Sequence, residues 1–171
     1  MNRQDISNDD YDRHWNILWN IQLGIRYHMH MQNFYSRFGK FVTVFTLILS
    51  TSSGASLIAT HTEIAKYLAF AAALLQTLEL VIDSKAKTIL HTTLRQRYIL
   101  LGSELAINNY LKQSDEASFK AKLASIEIDE PPIVFALMDQ CNNELVKVHN
   151  LGESYYQKLS CLNKIKAWWY N

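Results

Sequence analysis

Two apolar segments near the middle of the chain dominate its pattern of hydrophobic and polar positions. The first, 41–59, contains no charged residue, and the second, 67–82, follows after a short polar connection. A helix over the first segment reaches roughly 28 Å at about 1.5 Å per residue, close to the ~30 Å hydrocarbon core of a bilayer. The pattern predicts a transmembrane hairpin with spans at 41–60 and 65–83. A long apolar helix can also form the centre of a soluble bundle, and this alternative stays open.

The remainder of the chain is predicted to be helical. The two prolines are adjacent at Pro131 and Pro132 and there are only five glycines, which argues against a turn-rich β fold. We expect an all-α protein in which the second span continues without a kink into a long cytoplasmic stalk helix, followed by a small helical bundle. The expected domains are an N-terminal amphipathic helix at 1–39, the hairpin at 40–84 and a cytoplasmic helical domain at 85–171.

Capping residues predict where the other helices begin and end. Side chains at 7–10 favour a helix start there, ahead of an aromatic stripe that either packs in a core or lies at a membrane interface. A short helix is predicted at 114–126. The prolines are expected in the first turn of the next helix, which is expected to end near 151–152.

Basic residues flank the two apolar segments unequally. Arg26, Arg37 and Lys40 precede the first segment and four basic residues follow the second, whereas the connection is followed only by Lys66. The positive-inside rule therefore predicts that both termini are cytoplasmic. In that reducing compartment the two cysteines, Cys141 and Cys161, are expected to be free and buried.

A run of small and hydroxyl residues interrupts the first apolar segment. Small side chains let two helices approach closely, and the hydroxyls can also line a pore between protomers, so both helix packing and pore lining stay open. A second stripe of small residues in the other segment consists of Ala65, Ala69 and Ala73. The candidate pore-lining or packing residues are Ser50, Ser52, Ser53, Gly54 and Ser56.

Two further groups on the second segment and the stalk are candidates for assembly. Glu79 and Asp83 lie one helical turn apart, and they predict either interfacial ion pairs or an acidic ring at a pore mouth. An apolar stripe along the stalk needs a partner helix and is predicted to be an oligomer interface. Its residues are Leu90, Leu94, Tyr98 and Leu101.

Motifs for chemistry are missing from the sequence. There is no Gly-rich phosphate loop, no nucleophile elbow and no Cys/His zinc spacing. His28 and His30 are two residues apart, so a helix directs them to different sides and they are expected to be ordinary polar residues. We therefore predict no enzymatic activity, no cofactor and no metal. A net charge of +1 without a basic block predicts no nucleic-acid binding.

Short motifs spread over nearly the whole chain form a recognisable set: Arg26-Tyr27-His28, Phe34-Tyr35, Leu80-Val81-Ile82-Asp83, His91-Thr92-Thr93-Leu94-Arg95, Glu130-Pro131-Pro132 and Cys141-Asn142-Asn143-Glu144. Together they resemble the SLATT-like family of bacterial and phage-borne proteins with two transmembrane helices. The resemblance implies a membrane effector of an antiviral conflict system, in which a partner senses infection through a nucleotide signal and the effector oligomerises to breach the inner membrane.

Three functions are expected from these observations. The first is a homo-oligomeric, pore-forming effector in the bacterial inner membrane. The second is a membrane-tethered helical scaffold or binding module without conduction, and the third is a soluble oligomeric helical bundle. On the resemblance, the residues expected to contact a partner protein are His91, Arg95, Asp129 and Glu130.

Overall fold

The structure, a computed structural model, describes residues 7–51 and 62–170 and is dominated by helices. The described part of the chain contains no strand, which confirms the all-α prediction. Its α-helices are α1 (Asn8–Ser50), α2 (Thr62–Ile82), α3 (Ser84–Leu105), α4 (Gln113–Glu127), α5 (Phe135–Val148) and α6 (Cys161–Tyr170), with a short 3-10 turn at Glu153–Tyr155 before α6.

Helix ends follow the predicted capping residues in some places and not in others. α1 begins where expected, because the Ser7 hydroxyl accepts from the Asp10 amide and the Asp10 carboxylate accepts from the Ser7 amide. α4 lies within a residue of its predicted bounds. The prolines were wrongly placed in the first turn of α5, since that helix starts at Phe135 after an extended Val134.

The end of α5 was also misplaced. Asn150, with φ of 51°, takes the left-handed conformation just after the helix, and the Leu151 amide donates to the Val146 carbonyl at 3.0 Å. Asparagine tolerates this conformation, so it ends the helix before Gly152 is reached.

The chain folds into two compact units. Unit 1 comprises Met1–Met31 and His91–Asn171, and unit 2 comprises Gln32–Leu90. The segment 1–39, predicted as a separate domain, is divided between the units: its described residues up to Met31 belong to unit 1 and those from Gln32 belong to unit 2.

The core of unit 1 joins one face of α1 to the apolar faces of α3, α4 and α5. Trp15, from the predicted aromatic stripe, is 38% exposed and stands outside this core, with its ring 4.9 Å from that of His149. Both cysteines are free, as predicted, but only Cys141 is buried and Cys161 is exposed. The buried residues of the core include Ile17, Ile21, Tyr27, Met31, Leu94, Tyr98, Leu101, Leu105, Leu123, Leu137, Cys141 and Leu145.

Unit 2 contains the second half of α1, all of α2 and the start of α3, and it leaves large apolar side chains on its surface. In the described residues one helical stretch, Glu63–Leu105, is long and apolar enough to cross a membrane, where two spans were predicted. This stretch comprises α2 and α3. The first predicted span continues past the end of α1 into residues 52–61, which lie outside the described part of the chain.

The predicted unkinked passage from the second span into the stalk is wrong at one residue. Asp83 has φ of 49° and separates α2 from α3. Its carboxylate accepts a hydrogen bond from the Ala86 amide at 3.0 Å, which caps the first turn of α3. Aspartate suits this position because its short polar side chain stabilises the left-handed conformation and supplies the cap.

Candidate functional site

Four polar side chains meet in the interior of unit 1. The Nδ1 atoms of His28 and His91 lie 2.9 Å apart, and neither ring is exposed to solvent. His28 Nε2 lies 3.0 Å from Glu130 Oε1, and the Tyr98 hydroxyl donates to the same oxygen at 2.6 Å. We call these residues, His28, His91, Tyr98 and Glu130, the buried polar cluster.

Helical spacing brings the histidines and the tyrosine together. His28 lies seven residues after Ile21 on the buried face of α1, and His91 and Tyr98 are seven residues apart on the buried face of α3. Positions seven apart share a helix face. Glu130 follows α4 and precedes the proline pair, so it belongs to the short connection between α4 and α5.

The distance between the two histidines limits the protons that they hold. A hydrogen bond needs one donor and one acceptor, so only one of the two Nδ1 atoms carries a hydrogen. The Glu130 carboxylate accepts from His28 Nε2–H on the other side of the ring. The cluster is thus a continuous chain of hydrogen bonds from His91 to Glu130.

Burial and hydrogen bonding act in opposite directions on Glu130. Desolvation raises the pKa of its carboxyl group. The hydrogen bonds from His28 and Tyr98 and the nearby imidazoles lower this pKa by a larger amount, so the net pKa lies below the ordinary 4.5. Burial, with the hydrogen bond to Glu130, raises the pKa of Tyr98. The tyrosine therefore stays protonated as a donor while Glu130 stays a carboxylate.

An open cleft of about 570 Å³ lies beside the cluster, with Tyr98 and Glu130 in its wall. We call it the acidic cleft, because its lining has two carboxylates and, among the described residues, no lysine, arginine or histidine. Its lining residues are Asn20, Leu23, Gly24, Tyr27, Tyr98, Glu127, Glu130, Pro131, Pro132, Ile133 and Met138.

Close packing fixes the floor of the acidic cleft. A Cβ atom on Gly24 would stand 2.6 Å from the ring of Tyr98, so only glycine leaves room for that ring. The Tyr27 hydroxyl accepts from the Val134 amide at 3.0 Å, which ties α1 to the connection before α5.

The cluster does not resemble a metal centre. In the described ranges 7–51 and 62–170, no group of three His, Cys, Asp or Glu side chains could hold a metal ion. His30 turns away from His28, as the spacing predicted, and its Nε2 lies 3.2 Å from Glu144.

Two of the four predicted partner contacts meet in the buried polar cluster. His91 and Glu130 join it, whereas Asp129 forms an ion pair with Arg97 at the surface. Arg95 is half-buried, and its Nε has no hydrogen-bond partner within the described residues. His91 is fully buried, so a partner protein cannot reach it in this state.

The predicted oligomer interface on the stalk is corrected by the structure. Leu94, Tyr98 and Leu101 are only 1%, 3% and 5% exposed, and Leu90 is half-buried. The apolar stripe of the stalk packs within its own chain, so it is not available to a second copy.

The predicted pore residues have been located only in part. Ser50 is exposed and its hydroxyl donates to the Leu47 carbonyl at 2.9 Å, whereas Ser52, Ser53, Gly54 and Ser56 lie outside the described residues. Glu79 accepts a hydrogen bond from the Ser84 hydroxyl within unit 2, and its other carboxylate oxygen is buried.

Sequence reasoning missed His28, Tyr98 and Glu127 as residues of a polar site. His28 meets partners that are 63 and 102 residues away along the chain, so no local pattern could reveal the contact. Tyr98 was assigned to an apolar stripe because helical periodicity reflects the position of its ring and gives no information about its hydroxyl group.

No family model matches the chain, and no curated protein or solved structure matches it.

Proposed function

We propose that the protein is a non-enzymatic effector of the bacterial inner membrane, related to the SLATT-like family, which assembles as a homo-oligomer and permeabilises the bilayer. The observation that carries this proposal is the apolar surface of unit 2. Phe70, Leu80 and Val81 are 70%, 82% and 79% exposed. Apolar surface in water costs about 25 cal/mol per Å², so such a surface favours contact with lipid or protein.

Several hydroxyl side chains of unit 2 are hydrogen-bonded within their own helices. The hydroxyls of Thr43, Ser50 and Thr77 donate to carbonyls three or four residues earlier in their own helix. Gln76 donates to the Thr46 hydroxyl at 3.0 Å, which joins α2 to α1. Satisfied hydroxyls can face hydrocarbon at little cost, and this supports immersion of the unit.

The pairing of chain ends supports a two-pass topology. The N-terminal and C-terminal segments pack together in unit 1, and the chain leaves that unit once, through unit 2. If unit 2 is embedded, both ends must lie on the same side of the membrane. The basic residues that flank the apolar segments favour the cytoplasm for that side.

The small residues of α2 support self-association in the membrane. Ala69 and Ala73 are exposed and Ala65 is half-buried, so the stripe is not fully covered by other residues of the same chain. Small residues four apart let another helix approach closely. Assembly through α2 replaces the stalk interface, whose residues are buried.

The test is the mass of the purified protein in detergent, followed by dye release from liposomes. We expect an oligomer of defined size that releases dye, and an A69L/A73L variant of lower mass and weaker release. Val81→Leu, an apolar change at an exposed site of the same helix, is the control and should behave like the parent. An oligomer that releases no dye would contradict permeabilisation, and a particle that is soluble without detergent would contradict embedding.

A second candidate is a membrane-tethered binding module, which the acidic cleft in unit 1 favours. In that case the embedded unit 2 is an anchor, and the cleft captures a ligand or a sensor protein. A membrane-bound monomer that leaves liposomes intact would support this candidate over the effector.

A further inference from the structure

We propose that the acidic cleft of unit 1 binds an amphipathic primary ammonium group, namely an alkyl stem that ends in a cationic amine. A small free amine and the lysine side chain of a partner protein share this chemistry. The proposal concerns unit 1 alone, so its test is independent of whether the protein permeabilises membranes.

The charge of the lining selects the sign of the ligand. Glu127 is exposed at the end of α4 and Glu130 lies in the connection that follows, and both line the cleft. No basic side chain among the described lining residues offsets these two carboxylates. The lining carries a formal charge of −2, which His28 offsets in part through its contact with Glu130 at 3.0 Å, and the two carboxylates favour a cation over an anion.

The remaining walls select the stem. Leu23, Pro131, Ile133 and Met138 supply apolar surface around the two carboxylates. A ligand that fills the space must therefore carry hydrocarbon as well as charge. The volume of about 570 Å³ lies within the usual range for small-molecule sites, so an alkylammonium chain fits with room to spare.

Rigidity of the acidic wall lowers the cost of binding. Glu130 Oε1 already accepts hydrogen bonds from Tyr98 and His28, so its position is set before a ligand arrives. Two carboxylate oxygens offer about four acceptor sites, which leaves capacity for an ammonium donor. The adjacent Pro131 and Pro132 restrict the backbone next to Glu130, which lowers the entropy cost of ordering this wall.

The experiment uses the full chain in non-ionic detergent with 13C-labelled methionine methyl groups, titrated with butylammonium. Met138 lines the cleft, whereas Met29 and Met31 do not. We expect a saturable shift of the Met138 resonance only. Butan-1-ol and butyrate, with the same stem but no positive charge, should produce little shift. Equal affinity for butan-1-ol would overturn the proposal, as would the absence of a saturable shift.

Glu127→Gln is the decisive variant, because Glu127 is exposed and its replacement leaves the core intact. Losing an exposed ion pair worth up to about 1 kcal/mol weakens binding by up to about fivefold. The control is Glu153→Gln, an identical charge change at an exposed site outside the cleft, which should leave the affinity unchanged. Identical affinities for both variants would contradict a role for the cleft carboxylates.

Two further titrants separate the sources of the ammonium group. Pentane-1,5-diamine represents a free amine, and a capped Gly-Lys-Gly peptide represents a partner protein. Tighter binding of the diamine assigns the cleft to a small molecule, and tighter binding of the peptide assigns it to a lysine of a partner. If neither the diamine nor the peptide binds, the assignment of the cleft to a biological amine is overturned.

Discussion

At the residue scale, two buried imidazoles are joined by a hydrogen bond in the interior of unit 1. His28 links His91 on one side to Glu130 on the other, and Tyr98 donates to the same carboxylate. Removing one member leaves buried polar groups without partners, which costs about 1–3 kcal/mol for each group. The four residues therefore stabilise the connection between α1, α3 and the segment before α5 together.

The lowered pKa of Glu130 predicts a loss of stability in acid. A carboxyl group whose pKa is lower in the folded than in the unfolded state stabilises the fold above the unfolded pKa, here 4.5. This contribution disappears as the pH falls below 4.5 and through the folded pKa. We expect the free energy of unfolding of unit 1 to fall in this range, measured by denaturant titration at a series of pH values.

Glu130→Gln should flatten this acid limb, because glutamine does not titrate, although it lowers stability at neutral pH. Glu153→Gln, at an exposed site, is the control and should keep the limb of the parent. The same acid limb in E130Q as in the parent would assign it to other carboxyl groups.

Gly24 packs against the ring of Tyr98, and its substitution is predicted to displace that ring. In Gly24→Ala the new methyl group would overlap the tyrosine ring, which is buried and cannot move freely. We expect a loss of about 1–3 kcal/mol, typical of overpacking, measured as a lower thermal midpoint. Gly152→Ala, where the nearest atom is 3.9 Å away, should change stability little. Equal stability of both variants would show that Tyr98 can be displaced at no cost.

At the scale of elements, the part of α3 from His91 onward has one face buried in the core of unit 1 and one face exposed. The stripe that was predicted to join protomers packs against its own chain, while Leu100 on the same helix is 69% exposed. The sequence pattern required a partner for the stripe and could not distinguish a partner in the same chain from one in another.

Leu94→Asp is therefore expected to unfold unit 1 and not merely to dissociate an assembly. A carboxylate placed at a fully buried site without a partner costs several kcal/mol. Loss of near-ultraviolet circular dichroism and of chemical-shift dispersion would report the unfolding. Leu100→Asp, at an exposed site of α3, should leave both signals intact. A folded L94D protein of reduced mass would instead support the prediction that the stalk is an oligomer interface.

At the scale of the whole molecule, the division into two units predicts where the ends of the chain lie. Under the proposed topology, in which unit 2 is embedded and both termini are cytoplasmic, the exposed Cys161 of unit 1 faces the cytoplasm, whereas Cys141 is buried. A membrane-impermeant maleimide should label Cys161 in inverted vesicles and not in spheroplasts. Asp12→Cys, at an exposed site of α1, should show the same pattern in a Cys161→Ser background. Labelling of the two sites from opposite sides would contradict the two-pass topology.

Local features of this protein could be predicted from the sequence because they depend on residues a few positions apart. The helical character, the start of α1 at Ser7 to Asp10 and the limits of α4 follow from capping groups and from periodicity over one or two turns. The apolar stretch in α2 is likewise a property of consecutive residues.

Only the tertiary structure decided which residues meet. His28 contacts Glu130 across 102 positions, and Leu94, Tyr98 and Leu101 of α3 are buried within unit 1. Asp83, between two helical segments, takes a left-handed conformation that the neighbouring sequence does not predict. The physical reason is that periodicity shows which face of a helix must be covered, whereas the covering surface depends on how distant segments pack.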